Sequence, residues 1–237
     1  MPTSIASRPQ TRLARIVEII VVFAVPIALY ATAMPWAANR PLAMQGVAWA
    51  ANLLMIALIG LSLRRRGQRW RHIGLRREFL SIRTVLLSFA VAIGAVFAFV
   101  LGSILMGMIM GVPEGADMSG FGYLRGNLPM LLLALAAVFI ASSFGEEVIY
   151  RGYLITRIAE LGGDERRWRW MAVVVSALVF GLIHFTWGAM GMVQTGMMGL
   201  ALGIAFLVLK RNLWALVFAH AYMDAILLIQ MYGASGS

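Results

Sequence analysis

Apolar runs of about 18 to 25 residues recur along the chain, each long enough to cross a hydrocarbon layer of about 30 Å as a helix. Seven such runs lie near 16–36, 42–63, 84–112, 128–157, 170–187, 190–209 and 213–232. The pattern predicts an all-α, polytopic transmembrane helix bundle of about seven spans. The fourth run is apolar only as far as Phe144 and then carries Glu146, Glu147 and Arg151, so hydropathy alone would truncate it. Between the fifth and sixth runs only the short stretch around Trp187, Gly188 and Ala189 is left for a turn. Segment 113–127, with Gly115, Gly120, Gly122 and Gly126, reads as an external loop.

Composition strengthens this reading. Of 237 residues 61% are apolar and 13% charged, with a mean hydropathy of +0.84, so there are too few polar side chains to cover a water-exposed surface and much of the exterior must meet lipid. A net charge of +10 would suggest nucleic acid in a soluble protein, but here the basic residues sit between the apolar runs and set orientation. Arg8, Arg12 and Arg15 precede the first run, and the loop from Arg64 to Arg83 holds eight arginines. Arg157, Arg166, Arg167 and Arg169 follow the fourth run and Lys210 with Arg211 the sixth, whereas the alternate loops offer only Arg40 and Arg125. This alternation predicts a cytoplasmic N-terminus and an external C-terminus, with the arginine-rich loop also near anionic lipid. The basic leader and Ala31-Thr32-Ala33 have features of a cleavable signal, but the long apolar stretch ending in Pro35 and Trp36 favours a retained helix. With no cysteine, disulfides, thiol catalysis and Cys-ligated metals are excluded. Residues 1–237 are expected to form one integral domain, with a motif core at 128–232.

Ionisable groups inside spans cost about 2.5–3.5 kcal/mol even on insertion scales, so each needs a reason. Glu146, Glu147 and Arg151 lie on the fourth helix, His184 on the fifth, and His220 with Asp224 on the seventh. With Arg157, Arg169 and Arg211 as cytoplasmic ends and about 1.5 Å per residue, Glu146 falls about 16 Å deep, His184 about 22 Å, His220 about 13 Å and Asp224 about 20 Å. Overlapping depths on helices of opposite direction make one buried polar site plausible. Glu147 and Arg151 are four apart and can neutralise each other, leaving Glu146, about 100° around an α-helix, free to face something else. Phe180 and His184 share a face, as do His220 and Asp224. A carboxylate shielded from bulk water can act as a general base, and neighbouring imidazoles can position water or donate to an oxyanion. Amide hydrolysis without a covalent intermediate requires such a set. His72, in the basic loop, reads as an ordinary solvated residue.

Glu146-Glu147-Val148-Ile149-Tyr150-Arg151 resembles the EExxxR motif, Phe180 to His184 the FxxxH motif, and His220 to Asp224 the HxxxN/D motif of the CAAX prenyl endopeptidase and bacteriocin-processing family of intramembrane proteases, also called the Abi family. Ile73-Gly74-Leu75-Arg76 also looks like that family. The resemblance implies a glutamate-dependent protease in which Glu146 with His184 activates water and His220 with Asp224 stabilises the oxyanion. Glu147 and Arg151 would support the site, with Phe180 as packing. Where the best-understood eukaryotic members carry Asn, this chain has Asp224, which favours a role orienting His220 as an imidazolium donor over a role as a protonated donor itself.

Two other readings remain open at this level. Glu146, His184 and His220 are a ligand set for a catalytic zinc, although there is no HExxH and the resemblance implies no cofactor. The same groups would also suit a proton pathway or a non-catalytic immunity or assembly protein. The expected partners are a peptide or membrane-protein substrate and membrane lipids, without nucleic acid, in a bacterial inner membrane where prenylated substrates are not expected. The GxxxG spacings of Gly199 with Gly203 and of Gly107 with Gly111 predict close helix contacts within the bundle.

Overall fold

The computed structural model describes residues 11–37, 40–111 and 119–234. Arg8 and residues 112–118, where the glycine-rich external segment begins, therefore lie outside the described residues. Seven long helices follow one another: α1 (Arg12–Ala37), α2 (Pro41–Arg65), α3 (Ile82–Met110), α4 (Leu128–Leu161), α5 (Arg166–Leu182), α6 (Gly188–Val208) and α7 (Leu213–Gly233). Among the described residues the regular structure is helical, and it is the all-α polytopic bundle that the apolar runs predict.

Six of the helices are long and apolar enough to cross a membrane. The exception, α5, has 17 residues and begins with Arg166, Arg167 and Arg169. It also ends earlier than hydropathy suggests: Ile183 and His184 leave the helix and a 3-10 turn over Phe185–Trp187 leads directly into α6. His184 is therefore not on the fifth helix but in the corner just beyond it.

The apolar outer surface is what lipid immersion requires. Phe97, Met108, Ile109, Leu133 and Leu178 are all exposed, an arrangement that water would penalise. Inside, α4 is the central member: every residue from Gly145 to Ala159 is buried, and the helix packs against α2, α5 and α7. Around it α1 leans on α2, α5 packs on α6, and α3 packs on both α6 and α7. At the end away from the arginine-rich loop a smaller core joins Leu131 and Ala134 of α4 to Leu228 and Met231 of α7.

Small residues set these distances. A Cβ at Gly203 would come within 2.9 Å of Val173, and one at Gly181 within 2.5 Å of the Met192 carbonyl, so α5 and α6 meet at close range as the Gly199/Gly203 spacing predicts. The other expected pair does not make such a contact at Gly111, where a Cβ would find open space.

The basic loops gather at one end. Arg211, just before α7, pairs with Asp164 between α4 and α5 at 2.5 Å, and Arg15 of α1 donates to the Glu160 carbonyl at the end of α4. The loop after α2 folds back beneath the bundle: Ile73 is fully buried, and Gly74, at φ 101°, lies so close to the Arg211 carbonyl that a side chain could not fit.

Candidate functional site

The middle of α4 is not an ordinary α-helix. Phe139–Phe144 and Glu147–Ile155 are wound as π-helix, in which each carbonyl accepts from five residues ahead and the turn is wider. Neighbouring helices bond to two of the carbonyls in this stretch: Asn52 of α2 donates to Ala141 O at 3.0 Å and Ser176 of α5 to Tyr150 O at 2.9 Å. More residues per turn also means that consecutive side chains diverge by less than the α-helical angle. Glu146, in the α-helical step between the two π segments, and Glu147 are not turned to different surroundings, as the spacing suggests; both carboxylates approach His220 of α7.

His220 has a carboxylate at each ring nitrogen. Its Nδ1 donates to Glu147 Oε1 at 2.9 Å, while Nε2 lies 3.9 Å from Glu146 Oε2 and 3.7 Å from Asp224 Oδ2. Glu147 Oε1 also accepts from Arg151 at 2.7 Å, across the four-residue spacing read in the sequence. Asp224 is four residues from His220, but the shorter contact to the imidazole belongs to Glu147. The closest partner of Asp224 is Ser143, which donates to Oδ2 at 2.8 Å, and Ser142 donates to Glu146 Oε1 at 3.2 Å. Two adjacent serines, Ser142 one turn before Glu146 and Ser143 reaching across to Asp224 of α7, are members of the site that the motif reading missed.

Exposure divides the acids by role. The side chain of Glu147 is 0% exposed and that of His220 5%, against 12% for Glu146 and 23% for Asp224. Glu147 is sealed between Arg151 and His220. Glu146 and Asp224 are the more exposed acids, and both lie beside His220 Nε2.

Phe180 joins the remaining residues to this group. Fully buried, it takes the Arg151 guanidinium on its face at 4.2 Å. The His184 ring meets it edge-on at 4.8 Å and the His220 ring at 6.4 Å, so the two imidazoles flank one phenyl ring. A Cβ at Gly199 of α6 would approach Phe180 to 3.0 Å and Arg151 Nη2 to 3.2 Å, so this glycine lets the ring and the guanidinium sit together. His184 bonds through Nδ1 to the Phe180 carbonyl at 2.7 Å. A carbonyl only accepts, so Nδ1 carries the hydrogen and the neutral ring presents a bare Nε2. Among the described residues no three His, Asp or Glu side chains are arranged as a group able to hold a metal ion.

A second polar cluster lies at the arginine-rich end, and the sequence reading did not see it. Glu18 of α1 accepts from Ser62 and from Arg66 Nε at 2.7 Å, both on or just after α2, and from the Tyr153 hydroxyl at 3.1 Å. Glu160 accepts from Arg157 at 3.0 Å and Arg66 at 3.2 Å, and lies 2.7 Å from His72 Nε2. Arg157, read as an orientation signal at a cytoplasmic end, is fully buried, and His72 is partnered rather than merely solvated. The available signal was Glu18 itself, an acid inside the first apolar run.

Compared with known proteins, the chain matches the sequence model of one family, described as type II CAAX prenyl endopeptidase Rce1-like, over residues 128–226. Neither the comparison with curated proteins nor that with solved structures finds a match. The matched stretch runs from the start of α4 into α7 and contains Glu146, Glu147, Arg151, Phe180, His184, His220 and Asp224. This motif-bearing part of an integral membrane protein is thus similar to the Rce1-like CAAX endopeptidase family.

Proposed function

We propose that the chain is an intramembrane endopeptidase that hydrolyses a peptide bond of a peptide or membrane-protein substrate with a glutamate-activated water and no covalent intermediate. The observation that carries this is the surroundings of His220: one nitrogen is fixed by the sealed Glu147, and the other faces the two more open acids, Glu146 and Asp224, at 3.9 and 3.7 Å. Gaps of that width accommodate a water hydrogen-bonded to all three groups.

In this reading Glu146 takes a proton from the water as its oxygen attacks the scissile carbonyl carbon, then delivers it to the amide nitrogen as the C–N bond breaks. The products are a carboxylic acid and an amine. Protonated His220 donates Nε2–H to the developing oxyanion, held in position by Glu147 and faced by Asp224, which Ser143 steadies. His184, with Nδ1–H committed to a carbonyl, offers Nε2 as a second acceptor for the attacking water. Arg151 balances Glu147 and fixes α4 against Phe180. The set consists of proton acceptors and donors, and the reaction needs no metal; elemental analysis of active protein, with cleavage assayed in chelator, tests the zinc alternative. We assign the whole of residues 1–237 to one domain in a bacterial inner membrane, with the arginine-rich end cytoplasmic.

The test is comparative analysis of membrane and secreted peptides from cells expressing wild type, Glu146→Ala or His184→Ala. The expected result is a set of new chain ends in wild type that both variants lack while accumulating in the membrane to equal levels. Identical peptide profiles in all three strains would remove the assignment and favour a non-enzymatic role.

A further inference from the structure

The loop after α2 encloses a hollow of about 460 Å³ lined by Gln68, Arg69, Arg71, His72, Arg76 and Glu78 among others. It lies apart from the His220 cluster, at the basic end of the bundle. Three arginines and one acid give it a strong positive balance, and among the described residues the side chains of Arg69 and Arg71 take part in no ion pair or hydrogen bond. Their neighbours are anchored. His72 is held by Glu160 and Gln68, Arg76 rests against the Phe79 ring, Ile73 is fully buried, and Gly74 is locked against Arg211. The cations are thus presented from a fixed backbone, which lowers the ordering cost of binding an anion.

The same stretch of chain also carries apolar side chains. Trp70 lies over Gly60 of α2 with part of its indole exposed, and Leu80 and Ile82 are exposed where α3 begins. An interfacial tryptophan and aliphatic side chains beside free guanidinium groups are what a surface at the level of lipid headgroups presents.

We propose that this hollow is a binding site for the phosphate of an anionic lipid headgroup, held by Arg69, Arg71 and Arg76 while the acyl chains run along Trp70 and Ile82. The site does not depend on the proposed peptidase activity. It would fix the depth of the loop that buttresses α4 and α7 from below.

Purified protein in detergent is titrated with dioleoylphosphatidylglycerol and, separately, with dioleoylphosphatidylcholine, and bound lipid is counted by native mass spectrometry. One saturable phosphatidylglycerol per chain is expected, bound at least about tenfold more tightly than phosphatidylcholine. At roughly the contribution of one cation near an anionic surface for each arginine, the triple variant Arg69→Gln/Arg71→Gln/Arg76→Gln weakens binding about a hundredfold. Arg64→Gln/Arg65→Gln/Arg77→Gln removes equal charge outside the hollow and leaves affinity within about threefold. Glu78→Gln tightens binding about fivefold, which keeps the test open if a triple variant fails to fold. Equal binding of the two lipids, equal loss in both triple variants, or no gain in Glu78→Gln overturns the site. Full displacement of lipid by millimolar inorganic phosphate would overturn the lipid as its occupant.

Discussion

The bundle contains two polar clusters with opposite imbalances. Around His220 three carboxylates, Glu146, Glu147 and Asp224, face one arginine and one imidazole. At the arginine-rich end two carboxylates, Glu18 and Glu160, are enclosed by Arg66, Arg157 and His72, with hydroxyls from Ser62 and Tyr153 taking further lone pairs. The second cluster saturates its acids and so works as a clamp joining α1, α2 and α4. The first leaves acceptor positions on Glu146 and Asp224 beside a ring nitrogen, so it can take up a proton donor such as water. Two sets of similar residues thus differ in what they can do because of how many donors surround each carboxylate.

Breaking the clamp should give the largest stability effect. Arg157→Leu removes the fully buried partner that Glu18 and Glu160 share and leaves them Arg66 and His72, a loss of about 3 kcal/mol, the low end for breaking a buried pair. Thermal unfolding in detergent should fall sharply, while cleavage per folded molecule at low temperature should persist. A variant that melts like wild type would show the clamp to be a bystander.

Next comes Gly199→Ala, which drives a methyl against Phe180 and Arg151. Overpacking of this kind costs about 1–3 kcal/mol, and here it should also displace the ring that both imidazoles flank, so stability and cleavage fall together. Unchanged cleavage would mean that the Phe180 contacts do not set the geometry of the site. The smallest expected stability effect is that of Ser143→Ala, which removes one hydrogen bond to Asp224, worth about 1 kcal/mol. Its melting temperature should hardly move, whereas its pH–rate profile should shift because Asp224 loses its steadying donor. A profile superimposable on wild type would take Ser143 out of the site.

Span positions were legible in the sequence because the length of an apolar run is set by the bilayer, and the motif residues were legible because an ionisable group in a span is costly enough to need a function. Hydropathy found α4 despite Glu146, Glu147 and Arg151, and the pairing of Glu147 with Arg151 followed from the four-residue spacing. The π winding was not legible: no residue type marks it, and it draws on Asn52 and Ser176 from other helices. Nor was it legible that both glutamates approach His220, since α-helical spacing suggests that they face different surroundings. The corner at His184 was blurred because α5 and α6 are joined by residues as apolar as their spans. The Glu18 cluster was missed for another reason. Its members are spread from Glu18 to Glu160, and arginines near helix ends look like orientation signals until the fold shows them buried.

The central claim is that Glu146, at the open side of His220, activates the water that cuts the substrate. With a substrate identified from the peptide comparison, purified Glu146→Gln is assayed beside wild type, with thermal unfolding measured on the same samples. The account predicts a rate lower by about 10²–10⁴-fold, the usual contribution of a general base, with unfolding unchanged. A Glu146→Gln enzyme that cleaves at the wild-type rate would contradict it.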